Sequence, residues 1–476
     1  MAKVTFNEFL NVIDGKSVSS ETTRHGVNPA TLQPLAPVPV CTPKEVDAAV
    51  AAARKALATW GHTPVQERQQ ALLRYADALA EQVNDFAKML VLESGKPMVV
   101  ATTEIQNAVD MFKGIAKLEF PENVIEDSAQ RRVVTRYVPV GVSVGIVPWN
   151  FPVVLTSFKM GPAIVAGSPI ILKPSPFTPY CGLKLVELAS HFFPPGVVQA
   201  LSGHDSLGPL LTNHPDVDKV SFTGSTATGI KVALDCAKTL KRVTLELGGN
   251  DAAIVAADVD IPTVAAKVTA LALYNSGQVC IAIKRVYVHK SIYPEFLSEM
   301  VKYAQSLVLG NGLEEKTTLG PVQNVMQFER VQALISLLEK EKLKPVTGNL
   351  KANPAKDGYF INPIIIENPP DDSKIVVEEP FGPVFPVLEW SDEEDLLKRV
   401  NHTIYGLGAS IWSRDTEQVD RLSRKLDVGN IWINTHMELR PDAAFGGHKH
   451  SGIGSELGVE GIKAYCSAQT VHWNKE

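Results

Sequence analysis

"KVSFTGSTATGIKVALDCAKTLKRVTLELGG", Lys219 to Gly249, reads as three consecutive elements. Val220 and Phe222 belong to a short apolar run, the Gly224-Ser225 turn interrupts it, and helix-forming residues follow to Leu240. A second run, Arg242 to Leu247, ends on Gly248 and Gly249. Strand, helix and strand at this spacing make a βαβ unit, whose two strands lie parallel in one sheet. The turn also puts free backbone N–H groups and a helix N-terminus at a strand's carboxyl end, where phosphates bind in α/β sheets. As a bare pattern this is weak, since Gly-Ser turns cap many helices. Gly224 and Gly229 have the glycine spacing of a nucleoside-triphosphate loop, but Ile230-Lys231 follows where Lys-Ser/Thr is required.

Upstream, from Arg131, the same texture recurs in RVVTRYVPVG, VSVGIVPW, PIILKP and VQALSG, most of them followed by a helix-like stretch. Downstream, a second series begins near Asp251 with DAAIVAADVD, a helix from about Ile261 to Asn275, and strands around RVYVHK, INPIIIE and FPVLEW. Two α/β units divided near Gly248-Gly249 are therefore expected. Before them, an irregular start ends at Ala30, and Lys44 to Lys113 carries apolar residues at helical spacing. Three or so helices are predicted there, with Pro64 and Pro97 in first turns. Near the end come IWIN, the loop from Thr435 to Arg440, AFGGHKHSG and TVHW. That last apolar strand is too short to fold alone and must pair with something.

The 476 residues are 45% hydrophobic and 21% charged, an ordinary globular balance that argues against disorder. A net charge of -6 with no Lys/Arg-rich run argues against a nucleic-acid partner. The most apolar span, Val138 to Leu172, is broken by Pro148, Pro152, Lys159, Pro162 and Pro169, so no membrane segment is expected. The N-terminus lacks a secretory signal, and five widely spaced cysteines without a C-x-x-C pair suit a reduced, cytoplasmic protein.

Three residues invite a chemical reading. Gly141 to Gly145 matches the G-x-S-x-G elbow of serine hydrolases, but Val140, Val142, Val144 and Ile146 alternate straight through Ser143, where the elbow needs a sharp turn. Cys280 lies in LYNSGQVCIAIKR, flanked by Val279, Ile281 and Ile283. Locally, a buried hydrophobe explains it as well as a nucleophile does. Glu246 points opposite Leu245 and Leu247 at a strand end, either solvated there or placed as a general base at a crevice rim. No metal site is expected: H-E-x-x-H is absent, and His448 and His450 lie in a Gly-rich loop.

Seven motifs taken together resemble the aldehyde dehydrogenase superfamily, NAD(P)-dependent oxidisers of aldehydes. They are PWNFP (Pro148–Pro152), LKPSPFTP (Leu172–Pro179), FTGST (Phe222–Thr226), LELGGN (Leu245–Asn250), GQVC (Gly277–Cys280), EEPFGP (Glu378–Pro383) and FGGHKHSG (Phe445–Gly452). The resemblance implies Cys280 as nucleophile, Asn150 as oxyanion donor, Glu246 as the base that activates water, and Lys159 as a supporting member of the active-site network. For NAD or NADP it implies Val147, Pro148, Trp149, Lys173, Pro176, Phe222, Gly224, Ser225, Thr228, Leu247, Glu379 and Phe381. Phe151, Phe158 and Tyr274 match the aldehyde tunnel and Arg440 its entrance, so aromatic or medium-chain aldehydes are expected to be favoured.

The implied fold is α/β, with two Rossmann-like domains and a small β-flap: 1–121 and 140–248 for the cofactor, 249–447 for catalysis, and 122–139 with 463–476 as a flap shared between subunits of a homodimer or homotetramer. Two departures bear on specificity. Position 176, often a glutamate that contacts the adenosine ribose, is proline, and Arg440 has no visible partner. A nucleotide-binding homologue without catalysis is the alternative, against which Cys280, Glu246 and Asn150 argue together; the serine hydrolase is the other.

Overall fold

The computed structural model describes residues 2–348, 350 and 357–475. Positions 1, 349, 351–356 and 476, included in the ranges above, lie outside the described residues. Two large sheets organise the mixed α/β fold. The first has eight strands in the order Gly452–Ile453, Arg242–Glu246, Lys219–Thr223, Ser143–Ile146, Ile170–Lys173, Val198–Ala200, Asn11–Ile13 and Lys16–Val18. Its five central strands are parallel, and the outer pairings are antiparallel. From Ser143–Ile146 the chain winds outward through Ile170–Lys173 to Val198–Ala200, then returns to Lys219–Thr223 on the other side of its starting strand. The strand order thus reverses beside Ile146 and Phe222, which opens a crevice at the strands' carboxyl ends.

The second sheet has six parallel strands in the order Ile364–Glu367, Val384–Trp390, Ile283–His289, Asp251–Val255, Gly408–Trp412 and Asn430–Ile433. Burial on both faces explains why most of its strands read as apolar runs rather than as alternating ones. A third, antiparallel sheet joins Cys466–Asn474 to Arg131–Pro139 and then Asn123–Asp127. Its first pairing runs from Cys466 opposite Pro139 to Asn474 opposite Arg131, so TVHW is paired within its own chain. Val124, Ile125 and Trp473 remain exposed on this flap.

Local structure departs from the periodicity in several places. The segment read as three or so helices forms four, Pro43–Trp60, Val65–Ala80, Val83–Ser94 and Met98–Ile115. Thr42 and Glu45 close the first with a reciprocal capping box. Pro64 and Pro97 sit at the N-caps, one position earlier than expected. The start read as irregular contains the strands Asn11–Ile13, Lys16–Val18 and Thr23–Val27, and Pro34–Pro39 follows beyond Ala30, all too short to show a period. The helix from Ile261 ends at Leu273, not Asn275, because Asn275, Ser276 and Gly277 all take positive φ (50°, 58° and 72°). Two non-glycine residues in that region store strain, and the segment they lift carries Cys280. Glycine is required at 277, since a Cβ there would lie 2.2 Å from the Gly382 carbonyl oxygen.

Candidate active site

A cleft of about 690 Å³ opens at the crevice of the first sheet and runs to Cys280, just ahead of the inner strand Ile283–His289 of the second. All twelve positions matched to the cofactor line it, as do Asn150 and Cys280. Ser225 caps the helix Thr226–Ala237 by accepting from the Thr228 N–H. A Cβ on Gly224 would lie 2.5 Å from the Phe222 ring, so the backbone must be bare there. Phe381, with φ 49°, meets Trp149 edge to face at 5.4 Å. At the far end, burial lowers the Lys173 ammonium to about 8, opposed by Asp205 and reinforced by Arg24. The Arg24 guanidinium donates to the Pro176 carbonyl. A bare phosphate-sized turn, a helix N-terminus and a cationic corner fit an extended dinucleotide.

The segment that carries Cys280 is tied down from several sides. Asn150 Nδ2 donates to the Gln278 carbonyl at 3.0 Å, keeping a second N–H to offer beside Cys280. Ser276 Oγ donates to the Gly320 carbonyl at 2.7 Å. Lys284 Nζ donates to the carbonyls of Val279 (2.8 Å) and Cys280 (2.6 Å) and pairs with Glu379 at 3.3 Å. Cys280 is half-buried, whereas the other four cysteines are buried and all five are free. Burial raises the Cys280 thiol to about 12; Lys284 opposes that rise, and Glu379, Asp251 and Glu246 add to it.

Glu246 ends its strand inside the protein, and neither carboxyl oxygen has a hydrogen-bond partner among the described residues. Burial, then the Glu456 carboxylate, push its pKa well above the usual carboxylate range, while Lys159 pulls it down. Lys159 does not touch Glu246. Its Nζ donates to Glu456 Oε1 (2.6 Å), Thr223 Oγ1 (2.7 Å) and Ser221 Oγ (3.3 Å), so it reaches Glu246 through its field.

Phe151 and Tyr274 stack with centroids 6.2 Å apart and, like Cys280, Met437 and Leu439, pack partly buried against the largest apolar core. Lys96 lies against the Phe151 ring, 3.6 Å from its centroid, paired with Glu104. Glu104 in turn accepts the Val153 N–H at 2.9 Å, fixing the end of PWNFP. Phe158 is buried in the helix Val154–Ala166 and belongs to that core. Arg440 is exposed and forms a two-point pair with Asp442, both contacts at 2.9 Å. Ser143 is buried within its strand and donates to the Pro169 carbonyl at 2.8 Å, which removes the serine-hydrolase alternative.

Lys284, Glu456, Asp205, Arg24, Lys96 and Glu104 escaped the sequence reading. For Lys284 a signal existed, a charge inside the apolar run VCIAIKRVYV. The others are assembled only by tertiary contact. Among the described residues no group of three or more His, Cys, Asp or Glu could hold a metal, and no helix is long and apolar enough to cross a membrane.

The sequence profile of the aldehyde dehydrogenase family matches residues 16–471. Putative aldehyde dehydrogenase FUS7 of Gibberella fujikuroi is 38% identical over 472 residues, covering 99% of this chain and 100% of the relative. Phenylacetaldehyde dehydrogenase of Pseudomonas fluorescens is 33% identical over 500 residues, covering 98% of each chain. The structure of the NAD+ complex of aldehyde dehydrogenase from Bacillus cereus superposes with a TM-score of 0.96 at 36% identity, covering 99% of this chain and 97% of that one.

Proposed function

The chain belongs to the aldehyde dehydrogenase family and is an NAD(P)-dependent aldehyde dehydrogenase, and from that premise we propose that Cys280 carries the reaction, with Asn150 and Glu246 as its partners. The observation that supports this reading is that Cys280 and Asn150 line the same cleft as the positions suited to a dinucleotide, with the buried Glu246 carboxyl near enough for its charge to act on the Cys280 thiol. The Cys280 thiolate adds to the aldehyde carbon, giving a thiohemiacetal whose oxyanion receives the spare Asn150 N–H and the Cys280 backbone N–H. NAD(P)+, which Trp149, Lys173, Ser225 and Glu379 would hold in the cleft, would supply the hydride acceptor for the thiohemiacetal carbon. Glu246 then removes a proton from water, which attacks the thioester, expels the Cys280 thiolate and releases the acid. Lys159 and Glu456 set the charge around Glu246 without touching it.

The stacked Phe151 and Tyr274, with Met437 and Leu439, support a preference for aromatic or medium-chain aldehydes, as does the likeness to a phenylacetaldehyde dehydrogenase. Burial contributes about 0.8 kcal/mol per CH₂. Phe158 would shape that wall from behind. Arg440, satisfied by Asp442, is left out of substrate selection. The exposed apolar residues of the flap support its role as a subunit contact in a dimer or tetramer, and five free cysteines suit the cytoplasm. The domain division proposed is 1–121 with 140–248, 249–447, and the flap.

Mixing the protein with NAD+ or NADP+ and an aldehyde panel, and following reduced-cofactor absorbance, tests the reading. Cys280→Ala should lose oxidation while still binding nucleotide. Undiminished turnover in that variant excludes Cys280 as nucleophile.

A further inference from the structure

Cys280 is a nucleophile in an unfavourable electrostatic position. Glu246 ends one sheet beside it, Asp251 begins the next strand, and Glu379 reaches in from the loop bearing Phe381; all three fields oppose a thiolate. His436, from the C-terminal loop, bonds the Ile281 carbonyl through Nε2 at 2.7 Å, and burial lowers its pKa to about 3, so it brings no charge. Arg285 is turned away to the carbonyls of Asn250 (2.9 Å) and Val400 (3.1 Å), and Arg330, which also lines the cleft, donates to the Glu379 carbonyl at 3.3 Å and acts on the Glu379 carboxylate. The cation that opposes the carboxylates at the thiol is Lys284, four residues on in the same segment and buried.

Its ammonium is shared. Lys284 Nζ holds the Cys280 carbonyl at 2.6 Å and Glu379 Oε1 at 3.3 Å, and the same Oε1 accepts the Gly249 N–H at 3.2 Å. Glu379 also lines the cleft, so one carboxylate faces the dinucleotide and neutralises the cation beneath the nucleophile. We propose that Lys284 is the positioning residue that supplies the counter-charge of the Cys280 thiolate, and that Glu379 withholds this charge until hydroxyl donors in the cleft engage it. The proposal rests on Cys280 being the nucleophile. The hydroxyl donors would be those of a bound nucleotide's ribose. As the Lys284–Glu379 pair weakens, the Sγ–H bond gives its proton to solvent more readily, and the electron pair stays on sulfur.

Alkylation by iodoacetamide reads the thiolate without turnover: Sγ displaces iodide, an S–C bond forms, and mass spectrometry locates the label on Cys280. Rates across pH 6 to 10 are compared for wild type, Lys284→Met, Lys284→Arg and Glu379→Gln, with and without NAD+. Lys284→Met should slow labelling at pH 8 by at least about tenfold, one unit of thiol pKa, while Lys284→Arg stays within about threefold of wild type. Glu379→Gln should speed labelling by at least about threefold without NAD+, while Cys41, Cys181, Cys236 and Cys466 stay as slow to label as in wild type; faster labelling of all five would signal loss of structure instead. NAD+ should accelerate labelling of wild type and leave Glu379→Gln unchanged. A Lys284→Met profile that superimposes on wild type, or slower labelling in Glu379→Gln, overturns the proposal; no effect of NAD+ on wild type overturns the coupling. Failure of the underlying reading is distinguished separately, because it appears as turnover in Cys280→Ala.

Discussion

Replacing Glu246 with glutamine should separate the two halves of the reaction. The carboxyl has no hydrogen-bond partner among the described residues, so the isosteric amide breaks no contact and the fold should persist. What is lost is the proton acceptor for the attacking water. General-base assistance contributes about 10² to 10⁴ in rate, or about 2.7 to 5.4 kcal/mol of barrier, so steady-state turnover should fall by that factor. Acylation does not need the base, and a burst of about one reduced cofactor per active site should survive it. The pH dependence adds a second readout. Because burial and Glu456 hold the Glu246 pKa well above the ordinary carboxylate range, wild-type deacylation should climb as pH rises through that raised value, and the variant's should not. Stability should follow the same group in the opposite direction. The folded protein keeps a proton that the unfolded chain releases, so wild type loses stability relative to Glu246→Gln as pH climbs from the ordinary carboxylate range to the raised value. Stopped-flow absorbance and thermal melts across pH measure both. A variant with wild-type steady-state rate and no burst refutes the assignment.

Lys219, buried with its Nζ on Thr244 Oγ1 at 2.7 Å, is lowered to about 7 by desolvation, so charging it opposes folding at and below neutral pH. Lys219→Met should therefore gain stability over wild type near pH 7, and the gain should shrink on the order of 1 kcal/mol per unit as pH rises towards 10; a gain independent of pH in denaturant titrations contradicts this. With Pro176 in place of an acidic residue, NADP+ should be accepted and NAD+ not preferred by more than about a hundredfold in kcat/KM, about 2.7 kcal/mol, whereas a larger ratio would show that Asp205 or another group restores the discrimination. Ending the chain before Gln469 removes the register from Gln469–Arg136 to Asn474–Arg131 and should shift sedimentation to a smaller species; an intact oligomer argues against the flap as subunit contact.

The parts of this protein that were legible in its sequence are those written locally. The Gly224 turn shows in a strand that stops and a helix that starts, and Glu246 shows in an alternation that sets it against two leucines. Cys280 could not be read that way, because a thiol among Val279, Ile281 and Ile283 looks the same whether inert or reactive. The resemblance of seven motifs favours the reactive reading, and the setting of the thiol appears only in three dimensions, in the left-handed Asn275–Gly277 corner and the Asn150 amide, which joins a segment 128 residues away. The short N-terminal strands stayed hidden because three to six residues hold too few periods to register.

The illegible remainder has a common character: it is made of buried charges. Lys159 and Glu456 are 297 positions apart, and Glu379 meets Gly249 across 130, so no window of sequence contains either pair. A buried ion must find its counter-ion and its hydrogen bonds together, because an unpaired one costs several kcal/mol. Each such lysine nevertheless leaves one local trace, a charge where the apolar pattern has no room for it: Lys159 in LTSFKMGPAIVA, Lys219 opening KVSF, Lys284 in CIAIKRVYV. All three are buried; the charge of Lys159 acts on Glu246, that of Lys284 on Cys280, and Lys219 shares the field of Glu456 and Lys159. In the function proposed above Glu246 and Cys280 change protonation during turnover, and the fold brings the charges of Lys159 and Lys284 to bear on them from a helix and a strand. A lysine inside an apolar run is thus a signal about the chemistry of the site, although its partner waits for the structure.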